Sequence, residues 1–284
     1  MDAERDWTNA TRAPGHMLGH VLRPEQFLAR ARYDRAAPDP RLARWIDRYW
    51  SVHWDLAPGE SHQVTTLDEP AVHLTVEAGD VRREGTQGAG TWITGPVTRG
   101  SFRITQRGRG GVVGVRFRLG GTTAFVDADL SALRDRTIPA TDWFPDPPRP
   151  AALAGASATE AAGLLDRWLL AQEPREVPGL TDLEHLLDLL ADPAVTGTGL
   201  LEERSGLSTR SLQRTFRRFV GVGPKRMLLR ARVMDAVAAL DGGDPRPVAD
   251  LAQDLGWFDQ SHFLRDFRAI TGASPGHYLR RDAR

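Results

Sequence analysis

A short segment near the C-terminus of this 284-residue chain occurs twice, with a constant offset of 51 residues (214 to 265 and 216 to 267). Each copy begins at Ser208 or Asp259, continues with an Arg-x-Phe triplet and is followed by Gly-x-x-Pro. Ser and Asp are preferred helix N-caps, whereas Gly follows helix ends and Pro opens the next helix. The repeat therefore predicts two equivalent short helices with an arginine on the outer face, which is typical of paired DNA-reading elements.

Composition indicates an ordinary soluble chain, with 40% hydrophobic and 26% charged residues and no cysteine. No apolar run approaches the roughly 20 residues of a membrane helix. The N-terminal segment lacks the basic-then-apolar order of a signal peptide. We therefore expect a cytoplasmic, nucleoid-associated protein.

The formal net charge of zero conceals a strong local asymmetry. No acidic residue occurs between Arg204 and Met234. The same stretch carries eight basic residues: Arg210, Arg214, Arg217, Arg218, Lys225, Arg226, Arg230 and Arg232. A solvated helix face normally mixes both signs, so this stretch indicates a polyanionic partner.

Short apolar runs separated by Gly and Pro predict a β-rich N-terminal region, preceded by short helices at 24–31 and 40–48. The predicted strands are 49–54, 62–67, 71–76, 81–84, 91–94, 101–106 and 111–119. We expect an α+β protein with an N-terminal antiparallel β-barrel of cupin-like type with flanking helices. The C-terminal domain is predicted to be all-α, with two helix-turn-helix units joined by a long helix.

The predicted domain organisation has three parts. Residues 1–150 form a β-rich effector-sensing domain, residues 151–180 a helical linker with a possible dimer contact, and residues 181–284 a DNA-binding domain. The boundaries follow the Pro-rich stretch at 145–150 and the break at 174–179.

Alternation of apolar residues predicts the inward faces of the strands. The candidate effector-binding residues are aromatic: Trp50, Trp54, Trp92, Phe102 and Phe117. On the last strand, Arg116 and Arg118 fall on the side opposite Phe117. These rings either line an apolar cavity or simply fill the barrel, and the sequence leaves both alternatives open.

Helical spacing separates an inward and an outward face on each repeated helix. The outward residues are the predicted DNA contacts: Arg210, Gln213, Arg214, Arg217, Gln260, Ser261, His262 and Arg265. Arg and Gln have the donors needed to read guanine and adenine edges. Arg214 and Arg265 are equally compatible with phosphate contacts, which are common in such interfaces.

The motif Gly256-Trp-Phe-Asp-Gln-Ser-His-Phe-x-Arg-x-Phe267, with Gly272-x-Ser-Pro275 after it, resembles the signature of the AraC/XylS family of bacterial transcription regulators. The resemblance covers about residues 181–284. It implies seven helices with two helix-turn-helix units in successive major grooves. It also implies double-stranded DNA, RNA polymerase, a small-molecule effector and a second copy of the chain as candidate partners. Two departures concern the leading helix of the first unit, where Gly197 and Gly199 weaken the helix and Glu202 occupies a position that is usually small.

An enzymatic function finds little support in the sequence. His53, His62 and His73 raise the question of a metal site in a cupin-like barrel, but no His-x-His pair is present. Zincin and phosphate-loop motifs are absent as well. We therefore predict a transcription regulator with no catalytic residues, metal or cofactor. Its N-terminal domain is expected to bind a small apolar or aromatic effector, or alternatively only to dimerise or contact proteins; a barrel enzyme fused to a DNA anchor is the third possibility.

Overall fold

The computed structural model describes residues 21, 24–67, 70–86, 88–98, 100, 102–192, 194–244 and 246–282. The first twenty residues of the predicted sensor domain lie outside these ranges. The strands are β1 (Ala31–Ala36), β2 (Ile46–Asp55), β3 (Ser61–Thr66), β4 (His73–Arg83), β5 (Gly90–Thr94), β6 (Phe102–Phe117) and β7 (Thr137–Pro139). The helices are α1 (Pro24–Leu28), α2 (Pro150–Leu153), α3 (Ala158–Leu170), α4 (Leu180–Ala191), α5 (Thr198–Ser205), α6 (Thr209–Val220), α7 (Pro224–Asp241), α8 (Val248–Asp254), α9 (Gln260–Thr271) and α10 (Pro275–Asp282).

The seven strands form one antiparallel sheet in the order β1-β2-β6-β4-β5-β7, and β3 pairs with the first half of β6. The long strand β6 is the centre, because β4 flanks one side while β2 and β3 share the other. This confirms the predicted antiparallel β-rich domain. In the pairings of the described residues, β1 and β7 remain at the two ends, so these pairings do not close the sheet into a complete barrel.

Two predicted interruptions between strands are in fact the two sides of one β-bulge. The glycine-containing stretches at 78–80 and 108–111 divided β4 and β6 into two strands each in the sequence-based prediction. In the structure Gly79 pairs with Gly110, and the register shifts between Gly79 and Asp80. Gly79 has φ +84°, and a Cβ there would lie 2.3 Å from the Arg109 carbonyl oxygen. Glycine thus permits a bulge inside continuous strands, as bulges require.

The helix predicted at 24–31 forms but ends earlier, whereas the helix predicted at 40–48 is wrong. Helix α1 is only five residues long, and the chain then forms edge strand β1. Residues 40–45 form turns, after which β2 begins at Ile46. The short edge strand β7 also escaped prediction, because three residues carry too little periodicity to identify it.

Both faces of the sheet centre are buried, against different partners. Residues 111–117 of β6 are all buried. On one face Val113, Val115 and Phe117 join the main apolar cluster, which also contains helix residues. The opposite face, with Val112 and Trp54, belongs to a smaller cluster. Strand alternation places odd and even residues on opposite faces, so the strand has two apolar sides.

The C-terminal domain has the seven helices that the resemblance implies, α4 to α10. The first helix-turn-helix unit is α5–α6, the second is α8–α9, and α7 joins them. Gly197 is the N-cap residue of α5 rather than part of it, so only Gly199 lies within that helix. Among the described helices, none combines the length and apolar character needed to cross a membrane.

The main apolar cluster runs across the predicted boundary near residue 180. It contains Leu74 and Val115 of the sheet together with Leu183 of α4 and Phe216 of α6. The fit is close at Gly221, where a Cβ would lie 2.6 Å from the carbonyl oxygen of Leu130. The first helix-turn-helix unit and the β-rich domain therefore share one core, whereas the domain limits themselves remain predictions.

Helix α3 is fixed to the same face of the sheet by a buried polar contact. The Tyr49 hydroxyl of β2 donates to Asp166 Oδ1 of α3 at 2.6 Å. The backbone N–H of Asp39 donates to the same oxygen at 2.8 Å. Burial, and then the Asp166 carboxylate, raises the pKa of Tyr49 well above its usual value. Tyr49 thus remains a neutral donor at any physiological pH.

We expect Tyr49→Phe to destabilise the full chain by about 1.5–3 kcal/mol, the range for a hydrogen bond to a charged group. Tyr33→Phe on β1 is the matched control, because its hydroxyl makes no hydrogen bond within the described residues. The urea midpoint and Tm of both variants give the comparison. Equal stability of Tyr49→Phe and wild type would show that this bond does not hold α3 to the sheet.

Candidate DNA interface and effector cavity

The two repeated helices have matching ends. The Ser208 side chain accepts from the N–H of Ser211 at 3.3 Å, and the Asp259 side chain accepts from the N–H of His262 at 2.8 Å. Both helices end at a left-handed glycine, with φ +80° at Gly221 and +77° at Gly272. The 51-residue offset therefore relates α6 and α9 along their whole length.

All residues that the sequence predicted as DNA contacts are exposed: Arg210, Gln213, Arg214 and Arg217 on α6, and Gln260, Ser261, His262 and Arg265 on α9. Within the described part of the chain, the four arginines make no hydrogen bond or ion pair. His262 differs, because its Nδ1 lies 3.0 Å from Asp259 Oδ2. The N–H of His262 is also the main reason that the pKa of Asp259 is lowered. The capping aspartate therefore orients His262 at the start of α9.

Not every cation of the 204–234 stretch faces solvent. Arg230 is buried, with 1% exposure. Arg226 donates to the Thr98 carbonyl of the β-rich domain. Arg232 donates to the Gly256 carbonyl at 2.9 Å, and burial lowers its pKa. The helical period of the sequence did not predict that these three arginines contact the protein itself. The exposed cations of the stretch are Arg210, Arg214, Arg217, Arg218 and Lys225.

Glu202 connects the two helices of the first unit. Its Oε1 accepts from the Thr209 hydroxyl of α6 at 2.6 Å. Glu202 departs from the small residue usual at this position in the family that the sequence resembles. The contact shows how the larger side chain is accommodated across the turn at Gly206, which has φ +67°.

The second face of the sheet lines a cavity of about 160 Å³. Its walls come from strands β1 to β6, the short helix α1 and the loops beside them. The lining residues are mostly apolar, with a few polar ones: Val21, Phe27, Tyr33, Arg48, Trp50, Val52, Val64, Thr66, Leu67, His73, Thr75, Glu77, Val81, Arg83, Thr94, Val97, Phe102, Ile104, Gln106 and Val112.

Two of the five aromatic residues predicted for effector binding, Trp50 and Phe102, line this cavity. Trp54 lies in the apolar cluster beside it, with Nε1 donating to the Arg107 carbonyl at 3.1 Å. Phe117 faces the main core and packs edge-on against Phe125, with ring centroids 5.6 Å apart. Trp92 is half-buried on β5 and is not part of the cavity wall. Alternation along a strand assigns its residues to two faces, but it does not predict which of two buried faces lines the cavity.

Gly114 leaves the space that the Trp50 ring occupies in the cavity wall. It pairs with Trp50 across β2 and β6, and a Cβ at Gly114 would lie 2.2 Å from the Trp50 ring. The indole therefore lies flat over the glycine, which explains the choice of the smallest residue there.

One end of the cavity wall is polar but electrically compensated. Arg83 contacts Glu77 Oε1 through Nε at 2.8 Å and Nη2 at 2.5 Å, and both side chains are almost fully buried. Hydroxyls of Thr75, Thr94 and Thr137 complete the arrangement. Nearby, Arg48 and Arg116 both contact Asp47, at 2.6 and 2.8 Å. Arg116 is buried, with 4% exposure, although alternation predicted that it faces outward.

The three histidines considered for a metal site do not come together. His73 lines the cavity, whereas His53 and His62 are outside its wall, and burial lowers the pKa of both. Within the described residues, no three His, Cys, Asp or Glu side chains form a group suited to hold a metal ion.

Two family models match parts of the chain. Residues 34–139 match a domain of unknown function (DUF6597), which corresponds to the β-rich domain. Residues 201–281 match a helix-turn-helix domain and include both helix-turn-helix units. Comparison with curated proteins finds no match.

Solved structures of ToxT from Vibrio cholerae are similar to this chain at very low identity. One ToxT structure is 9% identical over 88% of this chain and 97% of ToxT, with a TM-score of 0.39. A fatty-acid-bound ToxT structure is 10% identical over 88% of this chain and 94% of ToxT, with a TM-score of 0.37. At such TM-scores the likeness says nothing about what this chain binds.

Arg265→Ala should weaken binding to a cognate site by about 1–3 kcal/mol if Arg265 contacts a base edge. Preference at one base position should relax in parallel. Competition titrations over single-base variants of the site measure both effects, with Arg35→Ala on exposed strand β1 as control. A loss of equal size on every sequence would instead identify Arg265 as a phosphate contact.

Arg83→Met should destabilise the chain by about 3–5 kcal/mol, because it leaves the buried Glu77 carboxylate uncompensated. The double variant Glu77→Leu/Arg83→Met should regain most of this loss. Arg82→Met, which removes the neighbouring exposed pair with Asp80, is the control and should cost less than about 1 kcal/mol. Denaturant titration would contradict the expectation if the single and double variants were equally stable.

Proposed function

From the AraC-type helix-turn-helix domain at residues 201–281, we propose that this chain is a sequence-specific DNA-binding transcription regulator gated by a small effector. The observation that carries the proposal is the pair of equivalent helices α6 and α9, whose predicted DNA contacts are all exposed. The cavity in the β-rich domain is the proposed site for the effector. RNA polymerase and a second copy of the chain are further proposed partners.

We propose that α6 and α9 enter two adjacent major grooves, as the resemblance implies. Helix α7, which separates the two units, has 18 residues and is therefore about 27 Å long. Recognition helices that read successive major grooves lie about 34 Å apart along the duplex. The proposed DNA contacts are the eight exposed residues of α6 and α9 already described, with Lys225 and Arg218 available for phosphates.

The cavity favours a small, largely apolar or aromatic effector. Trp50, Phe102 and Val112 supply flat and branched apolar surface. Its buried cation Arg83 is already neutralised by Glu77, so a charged effector would find no uncompensated partner at that pair. Apolar contact is therefore the main source of binding free energy, at roughly 25 cal/mol per Å² buried.

Leu67 provides a direct route from the cavity to the DNA-binding helices. It lines the cavity, and it also belongs to the apolar cluster of the second helix-turn-helix unit, with Phe263 and Phe267. Its side chain is fully buried. An effector that displaces Leu67 would change the packing beneath α9, and differential binding of this kind typically gives 1–3 kcal/mol of coupling.

A second contact runs through the loop after β5. Val97 lines the cavity, and the next residue, Thr98, accepts a hydrogen bond from Arg226 of α7. Gly100 of the same loop approaches the C-terminal part of α9, where a Cβ would lie 3.4 Å from the Ala269 carbonyl oxygen. Effector binding can therefore bias the second unit through two adjacent segments of the sheet domain.

The proposal is tested by a thermal-shift screen of the full chain, followed by DNA titration with each hit. DNA affinity should fall steeply with salt, because several phosphates are contacted. Hits should change DNA affinity, and Val112→Phe, which fills the cavity, should abolish that response. If no hit alters DNA affinity, the β-rich domain is an assembly module, the alternative function, and oligomeric state becomes the informative measurement. Turnover of a hit would instead favour the enzyme alternative.

Leu67→Ala should separate effector binding from its effect on DNA. We expect the thermal shift with effector to persist while the effector-induced change in DNA affinity shrinks from about 1–3 kcal/mol toward zero. Leu56→Ala, a buried truncation in the neighbouring cluster but outside the cavity wall, is the matched control. Retention of full coupling in Leu67→Ala would exclude this route.

A further inference from the structure

Phe258 is exposed to an unusual degree for a large apolar side chain. Its exposure is 96%, whereas the next most exposed large apolar residue among those the structure describes, Leu28, reaches 50%. Phe258 lies in the turn between α8 and α9, immediately before the N-cap Asp259. Leaving a phenyl ring in water forfeits the gain from its burial, so the position calls for a physical reason.

The turn around Phe258 is firmly anchored. The preceding Trp257 is buried, and its Nε1 donates to Asp266 Oδ2 of α9 at 2.9 Å. Arg232 of α7 lies over the Trp257 ring at 4.9 Å and donates to the Gly256 carbonyl. Asp259 then caps α9. With both neighbours fixed, the Phe258 ring is held outward by the backbone.

The usual structural reason for an apolar residue before an N-cap does not apply. In a hydrophobic staple this residue packs on the fourth helix residue, here Phe263. Phe263 instead packs on Trp257 and Phe267, with centroids at 4.9 and 5.5 Å, and Phe258 remains exposed. In the first unit, the residue at the same repeat position is Leu207, which is also exposed, at 36%.

We propose that Phe258 is a specificity-determining residue. It contacts the C5-methyl group of a thymine at the edge of the DNA segment that the second helix-turn-helix unit binds. Gln260 and Ser261, two and three residues further on, begin the exposed face of α9, so the ring continues the proposed DNA interface. The N-terminal residues of a recognition helix lie near base edges, and the thymine methyl is the apolar group of the major groove. The inference rests on the proposed DNA-binding function.

The experiment removes the methyl group without changing base pairing. A high-affinity duplex is first selected from a random library with the full-length wild type. Each thymine is then replaced singly by deoxyuridine, and Kd is measured for wild type, Phe258→Ala and Phe258→Leu. Leu28→Ala, an exposed truncation in the β-rich domain, controls for unspecific effects.

One deoxyuridine position should weaken wild-type binding about 3- to 10-fold, as expected for partial burial of a phenyl ring. Phe258→Ala should lose a similar factor on the thymine duplex and be insensitive to deoxyuridine at that position only. Phe258→Leu should retain part of the discrimination.

Two outcomes overturn the inference while leaving DNA binding intact. One is an unchanged Kd for Phe258→Ala, which would assign the ring to a protein partner. The other is equal sensitivity of wild type and Phe258→Ala to every deoxyuridine. If the wild type itself shows no salt-dependent DNA binding, the proposed function fails and this inference fails with it.

Discussion

The central strand β6 has to be covered on both faces, and the remaining architecture follows from this constraint. All residues from 111 to 117 are buried, so neither side of the strand meets bulk solvent. Helices α3, α4 and α6 cover one face and extend its apolar core into the first helix-turn-helix unit. The other face is covered by strands, loops and the short helix α1, which leave a cavity. The cavity and the first helix-turn-helix unit therefore lie on opposite faces of one strand.

This arrangement attaches the two helix-turn-helix units to the sheet domain unequally. The first unit shares the main core, with Phe216 and Phe219 in the same cluster as Phe117. The second unit has its own core, which Leu67 of the sheet domain joins. A smaller attachment costs less free energy to alter, because fewer apolar contacts change. The second unit is thus the natural target of a signal from the cavity, whereas the first provides a fixed reference for the spacing of α6 and α9.

Local signals made the DNA-binding helices predictable. The caps Ser208 and Asp259, the terminal glycines Gly221 and Gly272, and the helical period act within a few residues, and each is where the sequence indicated. The cavity was harder, because Phe117 and Trp54 are both buried and alternation does not state which face is hollow. At Gly79 the sequence predicted the end of one strand, whereas the structure has a bulge within a continuous strand, for a similar reason. Glycine permits both, and only the pairing partner distinguishes them.

The distribution of arginines shows how one residue type serves two purposes. Arg83 and Arg116 are buried beside carboxylates, where each charge is compensated and contributes to one defined packing of the sheet. Arg214 and Arg265 are exposed on the repeated helices and form no hydrogen bond or ion pair with the residues that the structure describes, so their donors are available to the proposed DNA partner. Burial of an uncompensated charge is costly, which explains why Arg83 lies beside Glu77 and Arg116 beside Asp47. The neutral overall charge means that the cationic surface at the proposed DNA interface is balanced by acidic residues elsewhere in the chain, so the composition alone does not reveal that surface.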